Sequence, residues 1–193
     1  YFQTSNMTFP NATTDHSRYD LFAGSLSIER NSLDYKQYPI SGRKQFLVAQ
    51  YVTGTEKYMP SPITDMGSFD RKVHSWLQMK GEWEQYKTIS PYFNLGFMSE
   101  LVLSSKNLMN NYTASVLQAP AFTPTPHSQI VFNEAFRANQ YVAFGLSPIL
   151  KFSKLLHFRL DMYGFAPLYE IKKEEVWNNN TYTAIPYYGK FLH

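Results

Sequence analysis

The chain has no cysteine, so it forms neither a disulfide framework nor a thiolate metal site. It also lacks any apolar run of about 18 residues, the length that a transmembrane helix requires. No run of five like charges occurs, and the formal net charge is only +3, so charge alone predicts no nucleic-acid partner. These absences exclude a disulfide scaffold and a helical membrane span, and the small net charge does not by itself indicate a nucleic-acid or anionic-membrane partner.

Aromatic residues, by contrast, are abundant. They make up 17% of the 193 residues, with 15 Tyr and 15 Phe, and the apolar content of 44% argues against disorder. Membrane β-barrels reach such aromatic contents through the girdles of rings at their two interfaces. The mean hydropathy of −0.38 is compatible with a barrel, because only alternate residues of a barrel strand face lipid.

Apolar and polar residues alternate over long stretches of the chain, for example across 93–103, 142–150 and 156–162. A period of two places one face of a strand in an apolar medium and the other among polar partners. The alternation predicts strands at Tyr19–Tyr38, Arg43–Thr53, His74–Tyr86, Tyr92–Ser104, Arg137–Lys151 and Leu155–Ala166, and a seventh that begins near Tyr182.

The connections between these strands alternate in length. Short ones are predicted at Pro39–Gly42, Lys87–Pro91 and Phe152–Lys154, and long ones at Gly54–Val73, Ser105–Phe136 and Pro167–Thr181. Outer-membrane barrels combine short periplasmic turns with longer extracellular loops, and their strands need about 9–11 residues, more than the usual 5–6 or so of globular proteins. The sequence therefore predicts an all-β fold, an antiparallel transmembrane β-barrel located in the bacterial outer membrane.

The predicted barrel is incomplete. Bacterial barrels use an even number of strands, about eight or more, and the sequence stops within the seventh predicted strand. We therefore expect residues 1–193 to be part of one barrel domain, with an upstream domain and the last strands outside this sequence.

The alternation also assigns side chains to the two faces of the barrel wall. The residues predicted to face lipid are Leu95, Phe97, Leu101, Val142, Phe144, Leu146, Phe158 and Leu160. The residues predicted to form a polar ladder in the lumen are Lys80, Glu82, Glu84, Glu100, His157, Arg159 and Asp161. Leu95 and Phe158 are placed at mid-strand, and Trp83 and Tyr92 in the periplasmic aromatic girdle. The ladder has two readings: its members satisfy one another inside the barrel, or they shape a path for permeation.

The sequence predicts no catalytic residue, metal site, cofactor or nucleic-acid partner, and it leaves oligomerisation open. It has no G-x-S-x-G elbow, and its five histidines are never at the i, i+4 spacing of a zinc-binding helix. The proline-containing loop Pro120–Ser128 has two readings, a stiff surface loop or a lid that folds into the lumen.

Three segments go beyond pattern. Asn31-Ser32-Leu33-Asp34-Tyr35, followed by Tyr38-Pro39 and Gly42, resembles the strand–turn–strand signature of the bacterial surface-antigen barrel superfamily. The segments 119–128 (APAFTPTPHS) and 158–165 (FRLDMYGF) resemble the C-terminal barrel of Bacteroidetes patatin-like phospholipases, and this resemblance covers most of the chain from about Tyr19 onward.

The resemblance implies a parent enzyme, a Ser-Asp lipid acyl hydrolase whose patatin domain precedes the barrel. The barrel would anchor that enzyme among membrane lipids and form a conduit for lipid or product. No catalytic residue of the family can be carried over to a position of this chain. Two alternatives stay open: a barrel that assembles or translocates outer-membrane proteins without an enzyme, and a water-soluble β-sandwich that binds carbohydrate or protein.

Overall fold

A computed structural model describes residues 2–4, 15–59, 70–153, 156–178 and 181–190. Within these ranges the chain is antiparallel β-structure with one short α-helix, α1 (Tyr112–Leu117), and a single 3-10 turn at Glu134–Phe136. The strands are β1 (Phe2–Thr4), β2 (Asp15–Asn31), β3 (Gly42–Met59), β4 (Asp70–Ser90), β5 (Phe93–Ser104), β6 (Tyr141–Lys151), β7 (His157–Arg159), β8 (Met162–Pro167), β9 (Tyr169–Asn178) and β10 (Thr181–Lys190). The prediction of an all-β fold is confirmed.

The main sheet is a meander in which each strand pairs with the next along the chain, in the order β1 to β7. Strand β8 also pairs with β6, along the half that β7 leaves free. Strands β9 and β10 form a separate hairpin. Within the described residues the two edges of the main sheet do not pair with each other, so closure into a transmembrane barrel stays a prediction.

Strands β3 and β4 are longer than the sequence pattern predicted, with 18 and 21 residues. Their register runs from Gly42 opposite Tyr86 to Tyr58 opposite Asp70 without a shift. Residues predicted to begin the long loop at Gly54 therefore belong to β3. Glycine fits at position 54 of this strand because it has no side chain. A Cβ atom there would collide with the β2 backbone at Asp20 and Leu21, so only glycine allows this close approach of the two strands.

Several predicted boundaries are wrong. The first strand ends at Asn31 rather than Tyr38, so the connection to β3 comprises residues 32–41 and is longer than the predicted Pro39–Gly42. The sixth strand is two strands, interrupted at Leu160 and Asp161. The predicted loop Pro167–Thr181 is mostly β9, and the predicted seventh strand, β10, pairs with β9 outside the main sheet.

The main sheet has two chemically different faces. The outer face carries exposed apolar side chains, among them Phe22 (79% exposed), Leu26 (74%) and Ile28 (68%) on β2. The inner face carries the alternate residues, and in β5 and β6 these are buried at nearly every position. The inner face is covered by the long loop between β5 and β6, residues 105–140, and at its other end by the connection 32–41.

Two apolar clusters lie between the long loop and the inner face. In one, Met109 and Ala114 of the loop pack on Val52 and Trp76. The other is an aromatic group in which the loop's Phe122 packs on Tyr141 and, in half-buried positions, Tyr163 and Phe165. Within Pro120–Ser128, Phe122 is buried against the inner face, and the reading of this segment as a lid stays a prediction. In the part of the chain that the structure describes, no helix is long and apolar enough to cross a membrane.

Candidate functional site: the inner face of the sheet

Polar residues of the inner face form a charge network on β3, β4 and β5. Lys80 Nζ lies 2.8 Å from Glu82 Oε1 and 3.1 Å from Glu100 Oε1. Lys44 Nζ lies 2.9 Å from Glu82 Oε2, and the Tyr141 hydroxyl donates to Glu100 Oε1. The cross-strand register explains these contacts. Glu82 stands opposite Glu100, and Lys44 stands opposite Glu84, so that Glu82 is its diagonal neighbour on the same face.

A second network lies at the turn end of the sheet, defined as the end that carries the Pro91–Tyr92 turn. Arg159 Nε lies 2.7 Å from Asp161 Oδ1, and Ser147 Oγ donates to the same oxygen at 2.5 Å. The Arg159 guanidinium also donates to the carbonyl oxygen of Pro39 (2.8 Å) and to the Tyr86 hydroxyl (3.1 Å). One arginine therefore joins β4, β6, β7 and the connection between β2 and β3.

That connection is an ordered structure rather than a simple tight turn. Asp34 Oδ1 accepts from the backbone N–H groups of Tyr35, Ile40 and Ser41, an Asx-type arrangement that favours a compact loop. The carbonyl oxygen of Ile40 accepts from Asn94 Nδ2 at 2.7 Å. The connection thus extends beneath the inner face as far as β5.

The structure separates the predicted polar ladder into these two networks and leaves two members outside them. Among the described residues, Glu84 forms no ion pair or hydrogen bond, although it lies on the inner face near Lys44 and Arg159. His157 is exposed at the start of β7. Lys80, Glu82 and Glu100 meet in the first network, and Arg159 and Asp161 meet in the second.

Sequence reasoning missed a third polar group at the loop end of the sheet, opposite the turn end. His74 Nε2 lies 2.8 Å from Glu56 Oε2, and both side chains are almost fully buried, at 3% and 0% exposed. Glu56 also accepts from the Tyr19 hydroxyl (3.3 Å) and from the backbone N–H of Asn110 (3.2 and 3.3 Å). The group was missed because Glu56 was assigned to a loop. The continued alternation of Val52, Gly54 and Glu56 was the available signal.

The Glu56 group holds the long loop at Asn110. Lys106, near the beginning of the loop, binds the residue that follows α1. Lys106 Nζ donates to the Gln118 carbonyl oxygen at 2.7 Å and lies 4.9 Å from the Trp76 ring centroid. Burial lowers the pKa of Lys106 to about 7, against the opposing attraction of the Glu56 carboxylate. Asn111 caps α1 by accepting from the backbone N–H groups of Thr113 and Ala114.

The predicted lipid-facing residues lie on the outer face of β5 and β6, on β7 and in the break after β7. Phe97, Leu101, Phe144, Leu146, Phe158 and Leu160 are exposed, and Leu95 and Val142 are partly exposed. The placement of Phe158 in the middle of a long strand is wrong. Strand β7 has three residues and pairs only with the last residues of β6, so Phe158 lies opposite Leu150 at the turn end of the sheet. Phe144, opposite Ser99, lies at mid-strand instead.

The two residues assigned to the aromatic girdle, Trp83 and Tyr92, are both exposed. Tyr92 is exposed at the turn, and Trp83 lies on the outer face with its ring 5.4 Å from that of Phe97. Trp76 and Tyr86 lie on the buried inner face. The assignment of Trp83 and Tyr92 to a membrane interface stays a prediction.

The inner face pairs charges and holds the long loop through hydrogen bonds and apolar contacts. Within the described ranges, no group of three or more His, Cys, Asp or Glu side chains could hold a metal ion. The comparisons with known proteins add no assignment, since no family model, curated protein or solved structure matches this chain.

Proposed function

We propose that this chain is part of a transmembrane β-barrel of the bacterial outer membrane that anchors a patatin-like phospholipase. The observation that supports the barrel is the outer face, where large apolar side chains of five consecutive strands, β2 to β6, are exposed. Soluble monomers rarely expose a contiguous apolar surface of that kind. Lipid would cover it, and the paired charges of the inner face would face away from the hydrocarbon.

A soluble β-sandwich would bury the same face against a second sheet. In the described part of the chain the other sheet is the β9–β10 hairpin, and it leaves Leu26, Leu77 and Phe144 exposed. Membrane insertion would also require closure, because unpaired strand edges cost several kcal/mol per polar group in hydrocarbon. Further strands that pair with the free edges of β2 and of β7 and β8 would provide it.

The link to a phospholipase depends on the sequence resemblance of residues 119–128 and 158–165. These two segments, distant in sequence, pack on each other: the Phe122 ring is 5.9 Å from that of Phe165, stacked at 20°, and 6.1 Å from that of Tyr163. A shared packing unit gives a structural reason for the two segments to be retained together. The long loop packs on the inner face at the loop end of the sheet. A conduit along that face would therefore require the loop to move.

The test is the behaviour of residues 1–193 after expression. We expect the protein to need detergent and to show heat-modifiable β-structure on a gel. A monodisperse, water-soluble monomer would contradict the barrel. The enzyme is tested separately, by reading the coding sequence upstream of Tyr1 for a G-x-S-x-G elbow. Its absence there, with detergent dependence retained, would favour an assembly or translocation barrel.

A further inference from the structure

A cavity of about 210 Å³ lies at the loop end of the sheet, lined by residues from the end of β5, from both ends of the long loop and from β9 and β10. Among the described residues, its lining contains no aliphatic and no acidic side chain. The lining residues that matter here are Ser104, Ser105, Asn107, Gln140, Tyr169 and Tyr188. Ligand sites for drug-like molecules are larger, so the cavity suits a small molecule.

The lining groups retain hydrogen-bonding capacity of both kinds. Ser104 Oγ accepts from the Lys106 backbone N–H and Ser105 Oγ accepts from that of Leu77, so each hydroxyl keeps its proton as a donor. Gln140 Nε2 donates to the Ser104 carbonyl oxygen, which leaves the amide oxygen as an acceptor. A ligand with several hydroxyl groups, each both donor and acceptor, complements such a lining.

Two tyrosines form one wall of the cavity. The Tyr169 and Tyr188 rings lie 5.8 Å apart at an angle of 56°, and the residues are 47% and 40% exposed. Tyr188 is held in place, because its hydroxyl donates to the Lys106 carbonyl oxygen (2.8 Å) and accepts from Asn139 Nδ2 (2.7 Å). An accessible aromatic face beside amide and hydroxyl groups favours contact with the C–H edges of a polar ring.

The charge of the lining favours a neutral ligand. Among the described residues no carboxylate lines the cavity, so no opposite charge attracts a cation there. The single cation, Lys106, directs its ammonium group to Gln118 and Trp76. From this geometry we infer that the cavity binds a single neutral sugar ring. The inference goes beyond the membrane-anchoring role and does not depend on it.

The experiment is saturation-transfer difference NMR with methyl glycosides of glucose, galactose and mannose. The protein is kept in an amine-oxide detergent, because alkyl glycoside detergents would themselves occupy a sugar site; if the protein is water-soluble, plain buffer is used. We expect at least one glycoside to bind in the millimolar range. Tyr169→Ala and Asn107→Ala should each weaken that binding about tenfold, as expected for the loss of one stacking or hydrogen-bond contact.

Tyr92→Ala is the matched control, since Tyr92 is an exposed tyrosine at the opposite end of the sheet, and it should bind as the wild type does. Asn107→Ala keeps the test independent of folding, because Asn107 is exposed and its replacement disturbs no packing. The inference is overturned if none of the glycosides binds, or if both cavity variants bind like the wild type. It is also overturned if inorganic phosphate, used as the anionic probe, binds where the glycosides do not.

Discussion

Arg159 Nη1 donates a hydrogen bond to the carbonyl oxygen of Pro39 at 2.8 Å and so ties the connection between β2 and β3 to strand β7. The same guanidinium pairs with Asp161. One side chain, that of Arg159, therefore links several elements at the turn end of the sheet. A planar donor fork can do this and a lysine ammonium cannot.

Replacement of Arg159 by Met should lower the free energy of unfolding by about 3 kcal/mol, because the Asp161 carboxylate would lose its partner in a largely buried place. Denaturant titration of the refolded protein measures this. The control is Arg30→Met, at an exposed position of β2, which should change stability by less than about 0.5 kcal/mol. Equal effects of the two variants would mean that the Arg159 network does not stabilise the fold.

The outer face predicts a dependence on depth. Phe144→Arg, at mid-strand, should cost about 2–4 kcal/mol in a bilayer, whereas Phe158→Arg, close to the turn end, should cost about 0–1 kcal/mol. Both phenylalanines are exposed in the folded chain, at 52% and 56%, so in water both changes should be mild. Unfolding from lipid vesicles distinguishes the cases. Similar small costs at both positions would contradict the lipid-facing assignment.

Glu56 should hold the long loop on the sheet. Glu56→Ala removes the carboxylate that accepts from the part-buried backbone N–H of Asn110, at a cost of about 1–3 kcal/mol, and hydrogen exchange of the Ser115 and Gln118 amides in and after α1 should accelerate. Glu29→Ala, at an exposed position of β2, is the control and should leave exchange unchanged. Unchanged exchange in Glu56→Ala would show that the apolar packing of α1 suffices.

Lys106 should make stability depend on pH. Burial lowers its pKa from 10.5 to about 7, so between those values the unfolded chain binds a proton that the folded chain does not. The free energy of unfolding of the wild type, relative to that of Lys106→Met, should therefore rise with pH from about 7 to 10, by at most about 1.4 kcal/mol per pH unit. Below pH 7 both states are protonated and the difference should be constant. Lys87→Met, at an exposed position, should show no such slope against the wild type.

Gly54 should not tolerate a side chain. A Cβ there would overlap the Asp20 carbonyl oxygen and lie 2.8 Å from the Leu21 Cα atom, so Gly54→Ala should cost about 1–3 kcal/mol as β2 and β3 separate. Gly24 has open space around the same position, and Gly24→Ala should be close to neutral. Thermal unfolding of the pair of variants is the measurement. Equal melting temperatures would show that the register of Leu21 opposite Gly54 differs from that described.

The period-two alternation was sufficient to predict the all-β class and the existence of most long strands. Those features depend on which residues are apolar, and that is written locally in the chain. The same reasoning was wrong where local signals compete. Gly54 indicated a loop although it permits close strand packing, and residues 169–178 were assigned to a loop although they form β9.

The sequence by itself determined that the protein is all-β, with an apolar and a polar side to its strands. Only the tertiary structure decided which polar side chains meet. Strand register brings Glu56 into contact with His74, and the path of the connection between β2 and β3 brings Pro39 into contact with Arg159. These pairings join residues far apart in the chain, so no local periodicity encodes them. The same holds for the long loop, whose inward fold depends on apolar partners contributed by several different strands.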